Sequence, residues 1–185
     1  RPWEKDRTTE GADFDRYVET MRGQIRELMT NYGEIAVLWF DGGWERTAPE
    51  DLQKFRDVIA MARQLQPKML VNNRANISGD FETPEQFIPA TGVVDKEGRP
   101  ALWEVCLTMT TGHGSFAPTA WWGYDRHETV FKPADQLIQT LIDVVSKGGN
   151  LLLNVGPAPE GVIRPETHQR YMRVLDTDPY LILTR

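Results

Sequence analysis

The sequence is poor in the residues that usually announce a chemistry. Its single cysteine, Cys106, excludes an internal disulfide framework and a cysteine-rich zinc site. The three histidines, His113, His127 and His168, are scattered, and neither a His-x-x-x-His pair nor an Asp-rich calcium loop occurs, so no metal is expected. No Gly-x-Ser-x-Gly elbow and no glycine-rich phosphate loop is present, which sets aside serine-hydrolase and nucleotide chemistry and leaves no cofactor expected. No apolar run approaches the roughly 20 residues needed to span a bilayer. Positive charge is in the minority, with 21 Lys and Arg against 27 Asp and Glu and a formal net charge of -6. That balance disfavours nucleic acid or an anionic membrane surface as a partner.

What is present suits one globular domain over residues 1–185, because 185 residues with 40% hydrophobic content can bury a core. Arg1-Pro2-Trp3-Glu4-Lys5 holds neither an initiator methionine nor the apolar core of a signal peptide, as expected of a processed chain or a fragment. Six tryptophans are many for this length. Indoles are usually core residues, but their faces also stack on the apolar side of sugar rings.

The pivotal stretch is Ile35-Ala36-Val37-Leu38-Trp39-Phe40-Asp41-Gly42-Gly43. An unbroken apolar run closed by turn formers reads as a strand buried on both faces, the kind found in parallel sheets. Asp41 then stands at the C-terminal end of that strand, where α/β folds keep their active sites, although Asp-Gly is also an ordinary turn. Before it, Phe14, Tyr17, Val18, Met21, Ile25, Leu28 and Met29 recur at helical spacing and stop near Gly33. After it, Thr47-Ala48-Pro49-Glu50 has the form of a capping box opening a second helix, which Pro67 ends. Met69–Asn72, Ala101–Leu107 and Asn150–Val155 are further strand candidates, and residues 179–183 could supply another. Helices from Pro133 and Pro165 complete an alternating α/β pattern of parallel type. If the sheet is parallel, Asp41, Asn72 to Arg74, Glu104 and Asn154 converge on one rim.

Two long connections interrupt this pattern, and connections of that length are usually functional. One, from Ala75 to Pro100, contains Asp80-Phe81-Glu82-Thr83-Pro84-Glu85; the other holds Trp121-Trp122-Gly123-Tyr124. Two carboxylates with aromatic platforms and guanidinium or amide donors suit glycoside hydrolysis. Asp41, on a rigid strand end, is the better nucleophile because attack needs a fixed trajectory. Glu82 or Glu85, on a mobile loop, is the better acid/base.

Taken in order, Leu38-Trp39-Phe40-Asp41-Gly42-Gly43, Asn73-Arg74, Phe81-Glu82-Thr83-Pro84-Glu85, Trp103-Glu104-Val105-Cys106, Trp122-Gly123-Tyr124 and Lys147-Gly148-Gly149-Asn150-Leu151-Leu152-Leu153-Asn154-Val155-Gly156-Pro157 resemble glycoside hydrolase family 29, the α-L-fucosidases. The resemblance implies a (β/α) barrel-type fold, of which this chain supplies a partial barrel of about strands four to eight. It implies a retaining double displacement on a fucosylated glycan, with Asp41 as nucleophile and Glu85, or alternatively Glu82, as acid/base. Trp39 and Arg74 are the implied substrate contacts, and Trp103, Glu104 and Trp122 are either further substrate-binding pocket walls or packed core residues, with no metal or cofactor.

The chain departs from that pattern in three places. The His-His-x-Gly-Phe segment of the family's first strands is absent, the loop Thr108 to Pro118 is long and carries His113, and the tail after Arg170 diverges. Five parallel strands that do not close leave two unpaired edges, so a chain native at this length is expected to associate as a homo-oligomer.

Overall fold

The helical periodicity after Phe14 is realised as α1, Phe14–Asn31, which Asp13 caps by accepting a hydrogen bond from Arg16 N at 2.9 Å. A computed structural model describes residues 11–43, 46–111 and 121–176. It divides the chain into two compact units, Arg1–Asp80 and Phe81–Arg185.

In the first unit, β1 (Val37–Leu38), α2 (Pro49–Leu65) and β2 (Leu70–Val71) follow α1. β1 and β2 pair in parallel, Val37 with Leu70 and Leu38 with Val71. α2 starts one residue later than a capping box requires: Ala48 is its N-cap, with no side-chain cap bond. Proline at the first helical position fixes that frame, so Thr47 lies outside the helix and its hydroxyl is out of register. The core joins Val18, Ile25 and Met29 of α1 to Phe55, Val58 and Ala62 of α2 and to Met69 and Val71, with Ile35, Leu38 and Phe40 packed against it. Val37 is not part of that core and is 42% exposed. The expectation of a strand buried on both faces therefore fails for β1, because the unit's apolar cluster covers one face only. Gln66 ties the helix end to the strand: its amide donates to the carbonyls of Met29 and Gly33 and its oxygen accepts from Ile35 N, at 2.7–2.8 Å.

In the second unit, β3 (Glu104–Thr108), α3 (Ala134–Ser146), β4 (Asn150–Asn154) and α4 (Pro165–Leu175) repeat the alternation. β3 and β4 are parallel and in register from Glu104–Asn150 to Thr108–Asn154. β3 is the strand buried on both faces, with Val105, Cys106, Leu107 and Thr108 all within the core. Its other edge is occupied by residues 82–86: Glu82 N donates to Leu102 O, Glu104 N to Glu82 O, Cys106 N to Pro84 O and Gln86 N to Cys106 O. The acidic stretch expected as a mobile loop is thus fastened to β3. Among the described residues the β1–β2 and β3–β4 pairs form separate sheets, and no closed barrel results. The strand candidate at 179–183 lies outside the described residues.

β3 starts later than expected because Ala101 is engaged elsewhere. Its N–H donates to Val93 O at 3.0 Å, across a hairpin whose tip is held by Asp95 and Arg99. This shift matters for the site, since it leaves Glu104 as the first residue of the strand.

Candidate active site

In the first unit, the chain beyond β1 is held by an amide. Asn72, fully buried, accepts from Phe40 N and donates to Phe40 O, both at 2.9 Å, and so extends the β1–β2 ladder with a side chain. Asp41 follows directly. Removing the amide leaves two part-buried backbone groups of Phe40 without that partner, so Asn72→Ala is expected to lower unfolding stability by about 1–3 kcal/mol. A urea titration of the two proteins measures it, and an unchanged midpoint refutes the clamp.

The Asp41 carboxylate accepts from Arg74 Nη1 at 3.0 Å; its own side chain is 60% exposed, whereas that of Arg74 is only 10% exposed. The Arg74 guanidinium carbon lies 4.7 Å from the centre of the Trp39 ring. Indole face, guanidinium and carboxylate are therefore stacked in sequence, a geometry that fixes the planar cation and through it the carboxylate. Gly42 adopts a φ of 84°, open to glycine but costly for other residues. Gly43 donates its N–H to Arg74 O at 3.1 Å, and a Cβ there would lie 2.6 Å from the backbone of Arg74 and Ala75. The two glycines after the carboxylate are thus what lets the two strand-end loops touch. Asp41 borders an open groove of about 570 Å³ walled by Phe14, Tyr17, Phe40 and Arg46, large enough for a sugar ring.

In the second unit, the C-terminal ends of the strands gather a different set. Glu85 pairs with Cys106, within β3, and is exposed, whereas Glu82 pairs with Trp103, before β3 begins. Gln86, at a φ of 60°, places its amide on Thr108, the last residue of β3, with Nε2 3.1 Å from Oγ1. Lys132 donates Nζ to Thr108 O at 2.5 Å, and burial lowers its pKa below the ordinary lysine value. Trp122 is half-exposed beside Gly123, whose carbonyl oxygen lies 2.8 Å from where a Cβ on Gly156 would stand. The Trp-Gly-Tyr segment thus rests on the loop leaving β4.

Two expected substrate contacts fall elsewhere. Glu104 opens β3 opposite Asn150, at the end away from Thr108 and Asn154, so it does not join the rim as expected. Trp103 is 2% exposed, packs with Val105, Leu107 and Val144, and donates its indole N–H to Lys147 O at 3.3 Å. It is a core residue, because its ring closes the α3–β4 turn. His113 lies outside the described residues. The sequence reading missed Gln86, Glu128 and Arg164; none of them sits in an apolar period, and only the fold brings them to the strand ends. Among the described residues no group of three or more His, Cys, Asp or Glu could hold a metal ion, and no helix is long and apolar enough to cross a membrane.

Chemically, a carboxylate held at a strand end beside a guanidinium and an indole face can attack or stabilise a carbohydrate's anomeric carbon. A sequence model described as alpha-L-fucosidase matches residues 2–175. The chain is 27% identical over 177 residues to an alpha-L-fucosidase of Branchiostoma floridae, covering 90% of this chain and 36% of the relative. It is 28% identical over 162 residues to the tissue alpha-L-fucosidase of Bos taurus, covering 82% and 31%. Among solved structures, alpha-L-fucosidase isoenzyme 1 from Paenibacillus thiaminolyticus superposes with a TM-score of 0.75 at 36% identity, over 92% of this chain and 40% of that one. The Thermotoga maritima alpha-fucosidase in complex with a mechanism based inhibitor gives a TM-score of 0.66 at 30% identity, over 86% and 33%. The chain spans about a third of the length of these curated relatives. It belongs to the α-L-fucosidases of glycoside hydrolase family 29, as part of their catalytic domain.

Proposed function

We propose that this chain carries the two catalytic carboxylates of a retaining α-L-fucosidase acting on fucosylated glycans. The observation that carries the reading is Asp41, held at the end of β1 by Arg74 and Trp39 on a backbone locked by Asn72. Asp41 attacks the anomeric carbon from the face opposite the leaving oxygen. Glu85 gives its proton to that oxygen and then takes one from the water that releases fucose. Arg74 and Trp39 orient the sugar, and Trp122 is read as a further sugar contact. In barrel terms, β1, β2, residues 82–86, β3 and β4 are read as strands four to eight. The edge of β1 opposite β2 is unpaired among the described residues, and association of copies through such an edge belongs to the same reading.

Glu85 is favoured over Glu82 because substrates of α/β barrels meet the C-terminal strand ends, and Glu82 lies level with the residue preceding β3. Hydrolysis of an aryl fucoside with a good leaving group needs little acid help, so Glu85→Ala is expected to slow mainly release of the fucosyl-enzyme. Added azide should then restore turnover and give α-L-fucosyl azide, with no such rescue in Glu82→Ala. The reverse pattern moves the role to Glu82. A second reading is a fucose-binding remnant without turnover, in which the stack of Trp39, Arg74 and Asp41 holds the sugar and no attack follows. Binding of fucose to wild-type protein that never hydrolyses 4-nitrophenyl α-L-fucoside would select it.

A further inference from the structure

The second unit contains a carboxylate that the mechanism above does not use. Glu128 is 4% exposed; its Oε1 accepts from Val130 N at 2.8 Å, while its Oε2 is buried with no hydrogen-bond partner among the described residues. A buried carboxylate oxygen left without a donor costs free energy, so the position calls for a ligand that brings one. Glu128 borders a cleft at the C-terminal end of β4, together with Asn154, Trp121, Tyr124 and Arg164. The cleft holds about 30 Å³, room for a hydroxymethyl arm or for water but not for a ring. Trp121 on its rim is 50% exposed and Tyr124 40%.

The walls are built firmly. The guanidinium of Arg164 lies 4.7 Å from the Tyr124 ring centre and donates to the carbonyls of Glu128, at 2.7 Å, and Asp125. A metal cation is a poor occupant beside that fixed positive charge. A neutral hydroxyl donor is a good one, and exposed indole beside an acceptor is the combination that holds a pyranose.

We propose that this cleft is a leaving-group subsite, in which a pyranose stacks on Trp121 and donates a hydroxyl or hydroxymethyl proton to Glu128 Oε2. The assignment to the leaving group rests on the fucosidase reading with Glu85 as acid/base. That residue protonates the departing oxygen and so stands on the leaving group's side, and Glu85 and the cleft belong to the same unit.

The test is a titration of methyl β-D-galactopyranoside into the full chain, followed by tryptophan fluorescence, with turnover of 4-nitrophenyl α-L-fucoside measured in parallel. Saturable binding is expected, weakened about ten-fold or more in Glu128→Gln, which keeps an acceptor for Val130 but puts a donor where Oε2 stood. Trp121→Ala should weaken binding comparably, and Trp121→Phe should recover part of it by restoring a ring. Absence of saturable binding, or equal binding in wild type and Glu128→Gln, overturns the subsite and leaves the cleft to water. Galactoside binding without fucoside turnover overturns the leaving-group role, and the failure then lies in the fucosidase reading. Fucoside turnover without galactoside binding removes the subsite alone.

Discussion

Asp41→Gly is expected to reduce hydrolysis of 4-nitrophenyl α-L-fucoside by roughly three orders of magnitude or more, the scale on which hydrolases lose turnover when the attacking group is removed. That corresponds to about 4 kcal/mol of transition-state stabilisation. The carboxylate is mostly exposed, and Gly42 and Gly43 already set the backbone path, so the variant should keep the wild-type circular dichroism spectrum. Azide fits the space vacated by the carboxylate and attacks from its side. The product expected with azide is therefore β-L-fucosyl azide, of opposite configuration to the one expected from Glu85→Ala. The anomeric configuration, read by NMR, separates the two roles even where the rates do not. Unchanged hydrolysis by Asp41→Gly would remove it as the nucleophile.

Trp103→Ala is expected to destabilise the chain by about 3–5 kcal/mol, the usual cost of deleting a large buried aromatic. Total stabilities are about 5–15 kcal/mol, so this is a large fraction. The reason is a specific fit: a Cβ on Gly149 would lie 2.4 Å from Trp103 ring atoms, so ring and glycine are each shaped for the other. Gly149→Ala alone should also destabilise, because the ring must shift within the core. In the Trp103→Ala background the added cost of Gly149→Ala should largely vanish, since the clash is gone. Urea denaturation of the four proteins gives the cycle. Additive effects would mean that the contact does not account for either cost, and a Trp103 variant of wild-type stability would return the residue to the list of substrate contacts.

This pairing also explains part of the motif Lys147-Gly148-Gly149-Asn150. Gly148 ends α3 with a φ of 75°, Gly149 makes room for the indole, and the Lys147 carbonyl accepts its N–H. The segment is one of those that carry the family resemblance, yet its glycines serve the chain turn at Gly148 and the packing of Trp103 at Gly149.

Much of the site was legible where the chain carries its own local logic. The apolar period of α1 and the short runs of β2 and β4 read correctly because side-chain spacing alone sets which face can be buried. The carboxylate after Phe40, its two glycines and the later Arg74 were legible as a strand-end cluster. Their contact was not, since Arg74 reaches Asp41 only through the parallel pairing of β1 with β2.

Two strands with similar apolar composition had different fates: β3 is sandwiched between residues 82–86 and β4, whereas β1 has one neighbour among the described residues and an exposed Val37. Composition reports that a strand can be buried, not how many neighbours it will find. Glu104 shows the same limit, as a hairpin pairing of Ala101 with Val93 delayed the strand and left the carboxylate at its first residue, away from Thr108 and Asn154.

The sequence by itself determined the family, the alternating α/β grammar and the two carboxylate segments, because these are carried by residue type and order. Only the tertiary structure decided which polar groups share a strand end, that Trp103 is core, that Glu85 lies level with Cys106 within β3 whereas Glu82 lies before it, and that Glu128 keeps an acceptor unused among the described residues. Each of those depends on hydrogen bonds and packing between residues far apart in the chain, whose energies no local pattern encodes.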